Sequence, residues 1–494
     1  MIALPERAPG RAIAAITFIF ACAYGASLIV LAKPDGRIVL GDALHHYVQL
    51  RSAVFDRDLK FTNEYLRMYG PGAGEDSETE WIVQTNATGH VRNLMPVGPA
   101  ILWSPVFLLV TGGVWLADAI GLAAYPLDGY GRIFQASAGF SGVIAAGLGA
   151  WFAYLAAASL VSRRAAIWAT LAVWLASSAL YYSLISPTYS HAASMLAVSG
   201  FWLAFVRTRD RQDVARYALL GALAGAAALM RWQDAILIGV PVWEALRART
   251  GGIIGTIARG VVTVASAAIA FAPQSIVWQR LYGHPLTIPQ GSSFMKWESP
   301  ALWQVLVSDN HGLFSWTPVL LLAAAGLIAL VRADRRIGVP AAAFLIASWY
   351  VNAAVADWWA GEAFGGRRFV ACFPVFVLGA AMIFERWTDR PRLLAAITFV
   401  FVALNGLLLV QYQTFMHGLR TVAPYPKGFY GLYVARFVVP FELARRWLSR
   451  CSAGWSPDMS VVRIALANLR YPETPDESIA RAEQAIAQAG RSAQ

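Results

Sequence analysis

Residues 133–164 read IFQASAGFSGVIAAGLGAWFAYLAAASLVSRR, a stretch without Asp, Glu, Lys or Arg until it ends on Arg163-Arg164. A helix crosses the bilayer's hydrocarbon core with about 20 apolar residues, and short Lys/Arg-rich loops stay in the cytoplasm. The stretch therefore predicts an inward crossing with its arginines at the cytoplasmic face. Four further short basic loops, at 207–216, 247–249, 332–336 and 385–392, carry the same signal. If all five are cytoplasmic, the crossings between them come in pairs, and that parity filters the topology.

Composition agrees with a polytopic membrane protein. Of the 494 residues 57% are hydrophobic and 14% charged, against about a quarter charged in soluble domains. The formal charge of +11 reflects cytoplasmic loops, and no arginine stripe with interleaved aromatics points to nucleic acid. Cys22, Cys372 and Cys451 are too scattered for a disulfide or zinc framework. The run 11–32 follows Arg7 and Arg11 and is too long for a signal-peptide core, so it predicts an uncleaved first span.

Parity then yields about 11 crossings in an all-α fold. Helix 1 goes out to a large outer loop at about 33–132, and 133–161 returns. The apolar piece 94–122 has no basic residue at its far end, and counting it as a crossing would strand Arg163-Arg164 outside. It reads as a juxtamembrane or re-entrant helix. Segments 217–230 and 235–246 are each too short to cross, about 20 Å against about 30 Å. They read as two short helices meeting below the outer surface, with Arg231-Trp232-Gln233-Asp234 in a pit. Residues 1–412 form the membrane domain. Residues 413–494 form a small outer C-terminal region with a partly helical tail. No internal repeat is visible, which weighs against inverted-repeat transporters.

This topology places all seven histidines, His45, His46, His90, His191, His284, His311 and His417, on the outer face. Outer loops are also longer and collect more of everything. Gly41-Asp42-Ala43-Leu44-His45-His46-Tyr47 stands just beyond helix 1, where a carboxylate is close to lipid headgroups yet open to water. Asp42 reads either as a solvated loop acid capping a helix that begins at Ala43, or as a catalytic base. That helix, to about residue 56, is expected to be an amphipathic surface helix. Adjacent His45 and His46 diverge on a helix and make a poor chelate, so hydrogen bonding is the reading and no metal site is assigned. Tyr189 and His191 lie in the second outer turn, where capping competes with function.

Asp357-Trp358-Trp359-Ala360-Gly361-Glu362-Ala363-Phe364-Gly365-Gly366-Arg367-Arg368 is the second cluster. Glycines permit close backbone approach, and paired arginines on the face that the charge rule disfavours suggest an anion. Headgroup snorkelling beside an aromatic belt is the competing reading. Arg231 is a functional candidate because an ionisable residue below the membrane surface is costly. Pro289-Gln290-Gly291 and His311-Gly312-Leu313-Phe314 are candidates for the same cavity.

These motifs resemble the GT-C superfamily of polytopic glycosyltransferases, which includes protein O-mannosyltransferases and lipid A aminoarabinose transferases. The acidic residue in the first outer loop carries the resemblance, with juxtamembrane helices beside it. Asp357-Trp358-Trp359…Gly365-Gly366-Arg367-Arg368, Asn93-Leu94-Met95-Pro96-Val97-Gly98-Pro99 and His311-Gly312-Leu313-Phe314 look like bacterial family-39-type enzymes. Two departures stand. Ala43 follows Asp42 where many relatives carry a second acid, and Tyr189-Ser190-His191 occupies a turn where relatives place another.

The resemblance implies an inverting transferase in a bacterial inner membrane, its site facing the periplasm and serving cell-envelope glycan biosynthesis. It would move a sugar from a polyprenyl-phosphate donor to an acceptor hydroxyl, with no resident cofactor. Asp42 would be the general base. Arg367, Arg368 and Arg231 would hold the donor phosphate. Trp358, Trp359 and Tyr47 would stack on sugar. His45, His46, Tyr189, His191, Gln290, His311 and Glu362 would contact substrates. A lipid or glycoconjugate transporter using Arg231 and Asp234, or a non-catalytic assembly subunit, are the other readings.

Overall fold

The computed structural model describes residues 6–30, 37–77, 79–122, 124–248, 251–413 and 430–452. Among these the chain is helical, with isolated β-bridges and no strand. It divides into two compact units, Met1–Leu409 and Val410–Gln494. In the second unit the described part is a π-turn, Tyr430–Val434, followed by a helix, Ala435–Ser452, with Pro440 inside it. The expected C-terminal tail lies outside the described residues, as does His417.

The first unit opens with α1 (Pro9–Val30). The outer loop holds α2 (Asp42–Arg51), α3 (Thr62–Tyr69) and α4 (Gly98–Ala119). Next come α5 (Arg132–Ala157), α6 (Arg163–Leu175), α7 (Ser178–Leu184), α8 (Ser190–Arg207), α9 (Val214–Met230) and α10 (Gly239–Ala248). The last are α11 (Gly252–Tyr282), α12 (Val319–Ala333), α13 (Arg335–Ala353), α14 (Phe373–Phe384) and α15 (Pro391–Gln411).

Among the described residues, six helical segments can cross a bilayer by length and composition: α1, α4, α5, α11, Arg367–Trp387 and α15. The pair α6–α7, bent by 74°, makes a seventh if it counts as one span, while α9 and α12 are apolar but short. This is a multi-pass membrane protein, although fewer helices pass that test than the eleven expected.

Backbone breaks inside lipid need internal hydrogen-bond partners. At the α6–α7 bend, Asn405 of α15 donates its amide to the carbonyls of Leu175 (3.0 Å) and Ser177 (3.2 Å). Ser177 caps α7 by accepting the Ala179 N–H. Between α12 and α14, Gly326 and Gly379 face each other with no room for a Cβ on either side, the small-residue contact that lets membrane helices approach closely.

Two sequence expectations change. First, α2 begins at Asp42 itself and is buried from Ala43 nearly all the way to Arg51. It is a core helix of the outer loop, not an amphipathic surface helix, because α3, α4 and the segment before α5 close over it. Second, α4 is one continuous helix with no reversal, so the re-entrant form is not seen. Its start abuts Leu229 at the end of α9. Farther along, Phe107 packs on Phe134 at the start of α5 (5.8 Å). Leu109, Leu116 and Ile120 stay exposed along it.

The break between α9 and α10 appears where expected. α9 stops at Met230, Arg231 adopts an extended conformation, and a 3-10 turn, Trp232–Ile238, leads into α10. Arg231 and Asp234 are both buried.

Candidate active site

Asp42 owes its position to Gly41. Gly41 has φ 54° and ψ −136°, a region that only glycine occupies cheaply, and a Cβ there would meet the Tyr189 hydroxyl at 2.8 Å. The turn aims the first carboxylate of α2 across the fold. The N-cap position is Gly41 and Asp42 is already the first residue of the helix, so the expected cap of a helix beginning at Ala43 is not formed. Its Oδ2 lies 3.1 Å from an Nη of Arg367, with Asp42 36% and Arg367 13% exposed at the side chain. The carboxylate is surrounded by protein yet keeps about a third of its surface open, which describes a group facing a solvent-filled recess. Burial pushes its pKa up, but Arg367, His45, His46 and Arg368 together outweigh that and hold it below the ordinary carboxylate value.

Three arginines converge here. Arg367 sits over the Tyr189 ring at 5.6 Å. Arg368 is committed to Asp357, donating to its carboxylate and its backbone carbonyl at 2.7 Å each. Arg231 donates to the Arg368 carbonyl and to His191 Nδ1, both at 3.3 Å. His191 therefore carries its proton on Nε2 as a neutral ring. Asp234 follows Arg231 in the same turn and accepts a hydrogen bond from Ser194 at 2.5 Å.

His45 and His46 follow Asp42 on α2, and each is held by partners of its own. His45 Nδ1 meets the Tyr65 hydroxyl at 2.8 Å, and its ring stacks on Trp81. His46 Nδ1–H donates to the Pro96 carbonyl at 2.8 Å, with Trp103 against the ring. Burial pushes both histidines down to about 4, so both are neutral near pH 7. Tyr189 is pushed up to about 12, chiefly by burial.

Tyr47 does not join the site. It is fully buried, packs on Phe107 and donates its hydroxyl to the Gly129 carbonyl at 2.6 Å. One and a half turns beyond Asp42, it points to the opposite side of α2, so it cannot stack on a sugar at Asp42. Gln290 donates to the Leu94 carbonyl at 3.2 Å and ties the loop after α11 to the segment that holds His46. His311 has φ 63° and pairs through Nδ1 with the Trp359 carbonyl at 2.9 Å, fixing the tryptophan loop. Trp358 and Trp359 meet edge to face and are half-buried, and Glu362 is exposed on the same loop.

Three partners escaped sequence reasoning. Tyr182 packs against His191 at 4.4 Å and accepts the Phe364 N–H at 3.1 Å. Tyr65 supports His45, and Asp357 neutralises Arg368. Tyr181-Tyr182 in the helix before Tyr189 was the available signal. Among the described residues, no three His, Cys, Asp or Glu side chains converge as metal ligands.

No family model and no curated protein matches the chain. Among solved structures, it is similar to the Archaeoglobus fulgidus oligosaccharyltransferase in complex with Zn and sulfate, at 12% identity and a TM-score of 0.42. The match covers 84% of this chain and 58% of that chain. At this level the likeness is a loose correspondence of helices.

Proposed function

We propose that the protein is a GT-C-type inverting glycosyltransferase that moves a sugar from a polyprenyl-phosphate donor to an acceptor hydroxyl outside the cytoplasm. The observation that supports this best is the Asp42–Arg367 pair at 3.1 Å, with Arg231 and Arg368 beside it. It joins one open carboxylate to a cluster of cations, with Trp358 and Trp359 nearby in sequence for sugar contact. A phosphate leaves without protonation, so one base suffices, unlike the two carboxyls of most glycoside hydrolases.

In this reading the acceptor oxygen attacks the anomeric carbon, and the bond from that carbon to the phosphate oxygen breaks. The electron pair leaves with the polyprenyl phosphate, and the acceptor proton passes to Asp42. Arg367 takes the growing phosphate charge, with Arg231 and Arg368 adding positive potential from behind. The donor must compete with Asp42 for Arg367, so donor binding releases the base. We place the site on the periplasmic side of a bacterial inner membrane, with eleven crossings and α4 lying along the outer face. Asp42→Asn should abolish transfer while expression and insertion persist; full transfer by that variant would sink the assignment.

A further inference from the structure

A second cavity opens on the outer loop. Its volume is about 630 Å³, within the range of about 300–1,000 Å³ typical of ligand sites. Three arginines line it, Arg37, Arg67 and Arg132, with three aromatic rings, Tyr69, Tyr125 and Tyr130. Among the described residues of its wall the one acid is Asp128, which accepts the Tyr130 N–H at 2.9 Å.

The wall is built by interactions between separate elements. Arg37 donates to the carbonyls of Met68 (3.1 Å) and Tyr69 (3.4 Å), pinning the end of α3. Arg132 reaches the Leu28 carbonyl at the end of α1. Arg67 is exposed and stands 5.9 Å from the Tyr130 ring. Arginines with aromatic faces suit an anionic carbohydrate, with guanidinium groups for phosphate, sulfate or carboxylate and rings for the apolar face of a sugar.

One residue of the cavity wall, Tyr69, feels the charge of Asp42. Arg37 precedes Asp42 by five positions, at most about 18 Å of extended chain. The Tyr69 pKa is raised by burial first, with Arg37 lowering it and Asp42 raising it.

We propose that this cavity binds the acceptor, and that the acceptor is an anionic glycan carrying phosphate, sulfate or carboxylate. This rests on the transferase reading for the word acceptor; the binding of an anionic glycan stands independently. The donor cluster of Arg231, Arg367 and Arg368 and the acceptor cavity are then two separate anion sites.

The test uses full-length protein in nanodiscs, titrated with sucrose octasulfate as the polyanionic probe and with sucrose as the neutral one. Sucrose octasulfate should bind and sucrose should not at the same concentration, and binding should weaken as salt rises. Arg67→Gln, at an exposed position, should weaken binding at least fivefold. The Arg37→Gln/Arg67→Gln/Arg132→Gln protein should lose the binding that Arg67→Gln weakens, with melting temperature checking its fold. Arg367→Gln should keep that Arg67-dependent binding. Competition by phosphatidylglycerol vesicles would assign the ligand to a lipid headgroup; lack of competition would assign a water-soluble glycan. Unchanged binding by Arg67→Gln, or loss of binding confined to Arg367→Gln, overturns the proposal. Because binding is read without transfer, failure of the transferase reading and failure of this one are separate results.

Discussion

Replacing Asp42 by Asn separates the two tasks assigned to that carboxylate. As a base it contributes about 10²–10⁴ in rate, so kcat should fall by that factor. As the partner of Arg367 at 3.1 Å it competes with the donor's phosphate. Coulomb attraction at that distance runs from about 1.3 kcal/mol in water to about 5 kcal/mol at an effective dielectric of 20. Because 36% of the Asp42 side chain is exposed, solvent screening sets the value near the low end, about 1 kcal/mol. Asn removes that competition, so donor KM should fall about fivefold, at about 1.4 kcal/mol per factor of ten. The assay is initial-rate transfer in proteoliposomes. Its donor and acceptor are those identified by comparing envelope glycans of a deletion strain with its parent. Loss of kcat with a raised donor KM would refute the reasoning, because Asp42 would then be helping the donor to bind.

The pH dependence follows from the same groups. His45 and His46, at about 4, stay neutral and Asp42 stays ionised, so transfer should be flat between about pH 5 and 8. Since the Asp42 pKa is depressed in the folded protein, the stability from its pairing is present above the ordinary carboxylate value and lost as pH falls through the lowered one. Donor binding frees Asp42, so the acid limb of kcat should lie higher than that of kcat/KM for the donor. Gly41→Ala forces φ 54° on a residue with a Cβ and presses it on Tyr189. It should cost about 1–3 kcal/mol in thermal melts and cut transfer at least tenfold, with Tyr189→Phe recovering part of the loss. In a cysteine-free background, an impermeant maleimide should label Glu362→Cys but not Arg163→Cys in intact cells. Labelling of Arg163→Cys would overturn the topology.

What the sequence made legible were features that repeat along the chain or that cost energy to bury. Apolar length and basic loops located α1, α5 and α11, and two runs too short to span exposed the break at Arg231. The shared outer face brought Asp42 and Arg367 into one neighbourhood although 325 positions separate them. Side-chain direction was not legible. α2 offers polar residues on several sides, and only the enclosing α3 and α4 decide that Tyr47 turns to Gly129 while Asp42 turns to Arg367. Pairing was equally hidden, because nothing in Gly366-Arg367-Arg368 says which arginine Asp357 will occupy. The surface character expected of α2 failed for the same reason, since burial there is imposed by partners distant in sequence.

Each arginine of the cluster has a nearby acid: Asp42 for Arg367, Asp357 for Arg368 and Asp234 for Arg231. The three acids balance the three arginines, so an incoming anion competes with carboxylates already in place. On the proposed reading this governs turnover as well as binding. A donor phosphodiester carries one negative charge, whereas the lipid monophosphate left after transfer can carry two and would hold the arginines harder. Asp42 can reclaim Arg367 only after shedding the proton it has taken. Proton loss to water and departure of the spent lipid would then be a single linked event.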